Sequence, residues 1–177
     1  SSIEKALPFY KNILGYDKQL FAGEGNFTDW QGVPGAQHTF KRVMMGHSRI
    51  LEGAFSKLLG PTSIELIEVT DRKSIKIFDN RYWGDLGFIH VCFDINGFKQ
   101  HEAICNQNGF PLTVDSSSSF DMGEAAGHFA YNEDPDGTLI EYVETHRVPI
   151  LKKIGWYLDL RKRDPQKPLP NWMVKSL

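Results

Sequence analysis

The sequence predicts an α+β chain built from one unit used twice, and three observations carry that prediction. Short β-branched and apolar runs at 63–69, 87–95, 127–132 and 138–144 alternate with two amphipathic stretches, 2–14 and 97–108, closed by Gly15 and Gly109. The order of these pieces repeats: residues 87–144 read β-α-β-β-β, and residues 1–70 read α-β-β-β, the same unit without its first strand. Three of the strand-like runs each carry one polar residue where an apolar one would pack better, namely Glu65, His90 and Glu141. The 177 residues suffice for one ordinary domain with its own core or for two small fused modules, and 41% hydrophobic with 12% aromatic content marks a globular chain.

The first helix starts from Ser2 as N-cap and places Ile3, Leu7, Tyr10 and Leu14 at helical spacing, with Pro8 as a point of kinking. Residues 16–21 follow as a strand, then a Gly- and Pro-containing loop over 22–36. Strands are expected at 37–45, 48–54 and 63–69, and residues 71–86 link the two halves. In the second half a short strand at 110–114 follows the helix, and Ser116–Ser119 reads as a loop. Asp134-Pro135-Asp136-Gly137 is a tight turn between the last two strands. Residues 149–177 form an extension, with a helical piece expected through Ile150, Leu151, Ile154, Tyr157 and Leu158. Trp156 and Trp172 suit a docked tail, as a lid or as a dimer contact. The predicted domain is therefore 1–148 (module one 1–70, module two 87–148), followed by the extension.

A net charge of −2 and a pI near 6.3 leave no broad basic field for nucleic acid. The cluster of Lys152, Lys153 and Arg161 to Arg163 reads as a solvated helix face. Cys92 and Cys105 make neither a metal spacing nor a disulfide framework, as expected of reduced thiols in a cytoplasmic protein. No apolar run is long enough to span a bilayer, so no membrane partner is expected.

Strand alternation sorts the polar residues by face. His90 shares a face with Phe88, Cys92 and Asp94, opposite Ile89, Val91, Phe93 and Ile95. Glu141 lies with Leu139 and Val143, opposite Ile140 and Tyr142, and Glu65 lies with Ile67 and Val69, opposite Ile64 and Leu66. Each polar residue therefore faces away from a helix layer. Two carboxylates and an imidazole on successive strands are a ligand set for one divalent ion.

These pieces together resemble the vicinal oxygen chelate superfamily, which includes glyoxalase I, methylmalonyl-CoA epimerase, extradiol dioxygenases and bleomycin-resistance proteins. The matching segments are Ile3 to Tyr10 with Ile13-Leu14-Gly15; Ile64-Glu65-Leu66; Gly87-Phe88-Ile89-His90-Val91; and Glu133 to Glu141 across the Asp-Pro-Asp-Gly turn. The resemblance spans residues 1 to about 145. It implies paired βαβββ modules in a half-open eight-stranded cup that holds one divalent metal. It maps Glu65, His90 and Glu141 onto ligand positions, and places the fourth ligand on a strand expected upstream of Ser1. The ion would be Zn, Ni, Co, Mn or Fe(II).

The activity this implies is an isomerase, lyase or epimerase acting through a metal-bound enediolate on a small oxygenated substrate, with Glu141 or Glu65 as proton shuttle. An extradiol-type Fe(II) dioxygenase is the alternative, in which His90 and Glu141 are ligands and the Glu65 position usually is not. A second alternative is a metal-free small-molecule (antibiotic or metabolite) binding protein of the same fold. His128 and Asn132, alternating away from Phe129 and Tyr131, are candidate substrate contacts, as is Arg42 for an anionic substrate. Family members often share modules across dimers, so a homodimer is expected.

Overall fold

The computed structural model describes residues 2–116, 121–122 and 125–175. Residues 117–120, with most of the predicted Ser116–Ser119 loop, lie outside the described residues. The chain divides into two compact units, one of Ser1–Arg49, Thr62–Gly87 and Asp134–Thr138, the other of Ile50–Pro61, Phe88–Glu133 and Leu139–Leu177.

The first unit contains helix α1 (Ile3–Asn12) and an antiparallel sheet of β1 (Lys18–Gly25), β2 (Phe40–Gly46) and β3 (Ile64–Val69), in the order β1-β2-β3. The helix runs through Pro8 and buries Ile3, Ala6, Phe9 and Tyr10; of the predicted stripe Ile3 and Tyr10 are buried, while Leu7 is half-buried and Leu14 lies past the helix end. Ser2 has the extended backbone of an N-cap but makes no side-chain cap. The Ile3 amide instead donates to Glu68 Oε2 at 2.9 Å, so a carboxylate from β3 serves the helix start. At the other end the Tyr16 amide donates to the Tyr10 carbonyl at 3.0 Å while Gly15 adopts φ +76°, a left-handed stop that a glycine takes without a Cβ clash. Leu66 of β3 is buried with the α1 stripe, and full burial of a ring such as Phe9 contributes about 2–3 kcal/mol.

The second unit has β4 (His90–Asp94), α3 (Phe98–Gln107), β5 (Val114–Asp115), β6 (Asp121–Met122), β7 (Ala125–Glu133) and β8 (Leu139–Thr145). The strands form one sheet in the order β4-β8-β7-β5, with β6 pairing β7. The β4–β8 pair is parallel, as the intervening helix requires, and the others are antiparallel. Ala130, Asn132, Ile140 and Tyr142 on one face are buried along with Phe98 and Cys105 of α3. The turn is closed by Asp134, whose Oδ1 accepts from the Asp136 and Thr138 amides at 2.9 and 2.8 Å. Its Oδ2 accepts from the Tyr10 hydroxyl at 2.7 Å, so Asp134 is a buried anchor as well as a turn former.

Three expectations are corrected. The strand expected at 110–114 is the two-residue β5, and residues 110–113 before it are irregular. Residues 48–54 are not a strand; Ser48 turns back to Asp17 through its amide and hydroxyl, and a one-turn helix α2 (Ser56–Leu59) follows. The extension is not helical over 149–158. It is a hairpin of β9 (Arg147–Leu151) and β10 (Trp156–Asp159), with a 3-10 turn between, and ends in the short helix α4 (Asn171–Val174). Pro149 and the left-handed Gly155 (φ +65°) disfavour a helix there. The apolar residues satisfy a two-residue period instead: Val148, Ile150 and Leu158 pack with Leu160, Leu169 and Met173 in a small cluster. No helix among the described residues is long and apolar enough to cross a membrane.

Candidate functional site

In the second unit, β4, β7 and β8 bring four polar side chains together on the sheet face away from α3. The register aligns Cys92 with Glu141 across β4–β8, and Tyr131 with Glu141 across β7–β8. His90 Nε2 lies 3.1 Å from Glu141 Oε2, and the Tyr131 hydroxyl donates to Glu141 Oε1 at 2.8 Å. The rings of His90 and Tyr131 meet edge to face, with centroids 5.6 Å apart. Desolvation, then the Glu141 carboxylate, pushes the Cys92 thiol up to about 12. The thiol therefore stays protonated at neutral pH. Burial and the bond to Glu141 push the Tyr131 phenol up as well. Asp94, at the end of β4, is pushed up to about 7 by desolvation and then by Glu144.

His90 and Glu141 fit two positions of a divalent cation. Two ligands of one tetrahedral zinc ion stand roughly 3.3 Å apart, close to the observed separation, and a donor such as Tyr131 on the distal carboxylate oxygen is the kind of outer contact that orients a ligand. Among the described residues no group of three or more His, Cys, Asp or Glu is arranged to hold a metal.

Glu65 is placed differently. It belongs to the first unit, where its Oε1 accepts from Arg42 Nε at 2.7 Å. Arg42 Nη1 also donates to both oxygens of Asp29, at 3.0 and 2.9 Å. The guanidinium carbon lies 4.0 Å from the Trp30 ring centroid and 4.5 Å from that of Phe27. The bond to Glu65, followed by that to Asp29, raises the Arg42 pKa above its usual value. Only 9% exposed, Arg42 is turned to protein carboxylates and rings rather than displayed to a substrate.

His128 and Asn132 share the α3 face of β7, not the face of His90. The His128 ring stacks on Phe98 at 3.5 Å, and its Nε2 pairs with Asp115. Asn132 is fully buried, giving Nδ2 to the Phe110 carbonyl at 3.2 Å and taking the Tyr142 hydroxyl on Oδ1 at 3.0 Å. The two pack on the α3 side of the sheet, opposite the face that carries His90 and Glu141. The residue of β7 that shares the His90 and Glu141 face is Tyr131. The hairpin turn makes it findable in sequence, because counting outward from Glu133 opposite Leu139 sets Tyr131 opposite Glu141.

No protein-family model matches the chain, and no curated protein matches it. Solved structures do. A glyoxalase family protein from Bacillus cereus superimposes with a TM-score of 0.58 at 18% identity, over 82% of this chain and 87% of the other. A glyoxylase/bleomycin resistance protein/dioxygenase domain from Frankia sp. EAN1pec superimposes with a TM-score of 0.53 at 17% identity, over 81% and 89%. At such identities the likeness speaks to architecture alone. The chain therefore has the same fold as this glyoxalase family protein and this glyoxylase/bleomycin resistance protein/dioxygenase domain.

Proposed function

We propose that this protein is a divalent-metal-dependent enzyme that moves a proton beside a carbonyl in a small oxygenated substrate, as an isomerase, epimerase or lyase. The observation that supports the reading is the convergence of His90, Glu141 and Tyr131 on one sheet face. His90 and Glu141 would hold the ion, of Zn, Ni, Co, Mn or Fe(II) type. When bound, such an ion draws electron density from an adjacent carbonyl and so acidifies the neighbouring C–H.

The chain's own residues supply the rest. Glu141 takes the proton from the substrate carbon and returns it, since a carboxylate within reach of that carbon serves as both base and acid. The Tyr131 hydroxyl occupies Oε1, leaving Oε2 as the oxygen beside His90. His90 would hold the ion beside that carboxylate, and protonated Cys92 adds no competing nucleophile.

Elemental analysis after dialysis tests the reading. It expects near one equivalent of metal in the native protein, and loss in His90→Ala and Glu141→Gln. Absence of metal after reconstitution with each candidate ion would overturn it in favour of the metal-free binding protein, which would hold its ligand equally well in chelator.

The Arg42–Glu65 bond favours a second reading, an extradiol-type Fe(II) dioxygenase, because there the Glu65 position is not needed as a ligand. Oxygen uptake with a catechol, dependent on Fe(II) and on Glu141, would select it over proton transfer.

A further inference from the structure

We propose that the tip of the β9–β10 hairpin is a docking site for an anionic lipid surface. The observation is a juxtaposition of surplus apolar side chains with concentrated positive charge. Cα pairing sets Leu151 opposite Trp156, so their side chains stand together at the end of the hairpin, and Ile154 lies in the turn that Gly155 permits. Leu151, Ile154 and Trp156 are 52%, 73% and 55% exposed. They are not needed for the small core beneath, which Val148, Ile150, Leu158, Leu160, Leu169 and Met173 fill.

The charge is segregated. Residues 147–177 carry eight Lys or Arg against two Asp, a net of +6, so residues 1–146 carry −8 to leave the chain at −2. Lys152 and Lys153 fall between the apolar tip residues in sequence, whereas Arg161 and Lys162 follow the other end of β10, at the base of the hairpin. Asp159, one of the two acids, is already engaged by Arg161 at 2.9 Å.

An indole, a leucine and an isoleucine in a turn whose sequence carries two lysines match the boundary between headgroups and acyl chains, where apolar groups sink about 5–10 Å and lysines meet lipid phosphates. A nucleic acid would use the cations and the indole but would leave Leu151 and Ile154 in water. The lipid surface is therefore the better fit, independently of the reaction assigned above.

The test is sedimentation of the full chain with vesicles of equal parts phosphatidylglycerol and phosphatidylcholine, and with phosphatidylcholine alone. The expected result is binding to the anionic vesicles only, weakened by salt. Ile154→Ser with Trp156→Ser, and separately Lys152→Gln with Lys153→Gln, should each weaken it about tenfold or more. The circular dichroism of both should stay native, since Ile154, Trp156 and Lys153 are exposed and a lysine-to-glutamine change at 152 adds no apolar or bulky group. No binding to either vesicle overturns the proposal, as does undiminished binding by the Ser double variant. Retention of a duplex oligonucleotide without vesicle binding would replace it with a nucleic-acid surface. Self-association lost in the Ser double variant without vesicle binding would replace it with a second copy of the chain.

Discussion

Glu65 and Glu141 hold matching places in the two repeats, each on the last strand and each facing away from its helix, yet their surroundings differ. Glu65 meets a guanidinium bracketed by Phe27 and Trp30, whereas Glu141 meets an imidazole, a phenol and a thiol. A permanent cation neutralises the first carboxylate, and it cannot be shed at any working pH. The second is held by groups that can exchange protons or turn to a ligand. Position in the repeat therefore sets where a carboxylate points, and its neighbours decide whether it can react.

Four experiments probe this contrast. Glu141→Gln should lower turnover of a responsive substrate by about 10²- to 10⁴-fold, and Glu65→Gln should leave it near native while lowering the melting temperature; equal losses of turnover in the two would erase the contrast. Tyr131→Phe should weaken metal binding about ten- to a hundredfold with little change in melting, read by competition with a chromophoric chelator. Asn132→Leu should cost about 2–3 kcal/mol in urea unfolding, because it leaves the Phe110 carbonyl and Tyr142 hydroxyl without their partner, and should not move KM; a changed KM at native stability would return Asn132 to the substrate.

The smallest effect concerns Asp94. Its folded pKa of about 7 lies above the ordinary 3.8, so the ionised form is disfavoured in the folded state. The stability this group contributes is present below about pH 4 and is lost as pH rises through about 7. Asp94→Asn removes the dependence, so its melting temperature should gain on the native protein by about 1–3 °C between pH 4 and pH 8, a small shift because the carboxyl is partly open to solvent. A constant difference across that range would contradict the assignment.

Strand alternation alone placed His90 and Glu141 on a common face and Glu65 away from Leu66, because a two-residue period leaves no choice once a strand is given. It also separated His128 and Asn132 from Tyr131, but it did not say which set met the helix. That choice depends on register with β8, and there the buried Ile140 and Tyr142 decide it. The Arg42–Glu65–Asp29 cluster was hidden for another reason. Asp29 and Trp30 come from an irregular segment whose path no local rule fixes. The 149–158 stretch satisfied both a helical and a strand period, and only the packing of Val148 and Leu158 against Leu169 and Met173 separates them.

The Asp134–Gly137 turn carries a consequence for how such a chain can change over generations. Because Asp134 both closes the turn and takes the Tyr10 hydroxyl, the number of residues between Tyr131 and Glu141 is fixed from two directions. Adding or deleting one residue there would bring Asn132 or Ala130 opposite Glu141 and turn the phenol to the helix side. Loops such as 26–38 and 71–88 bear no such constraint from the His90–Glu141 pair. Length drift among descendants of this sequence should collect in those loops and spare the ten-residue interval that ends at Glu141.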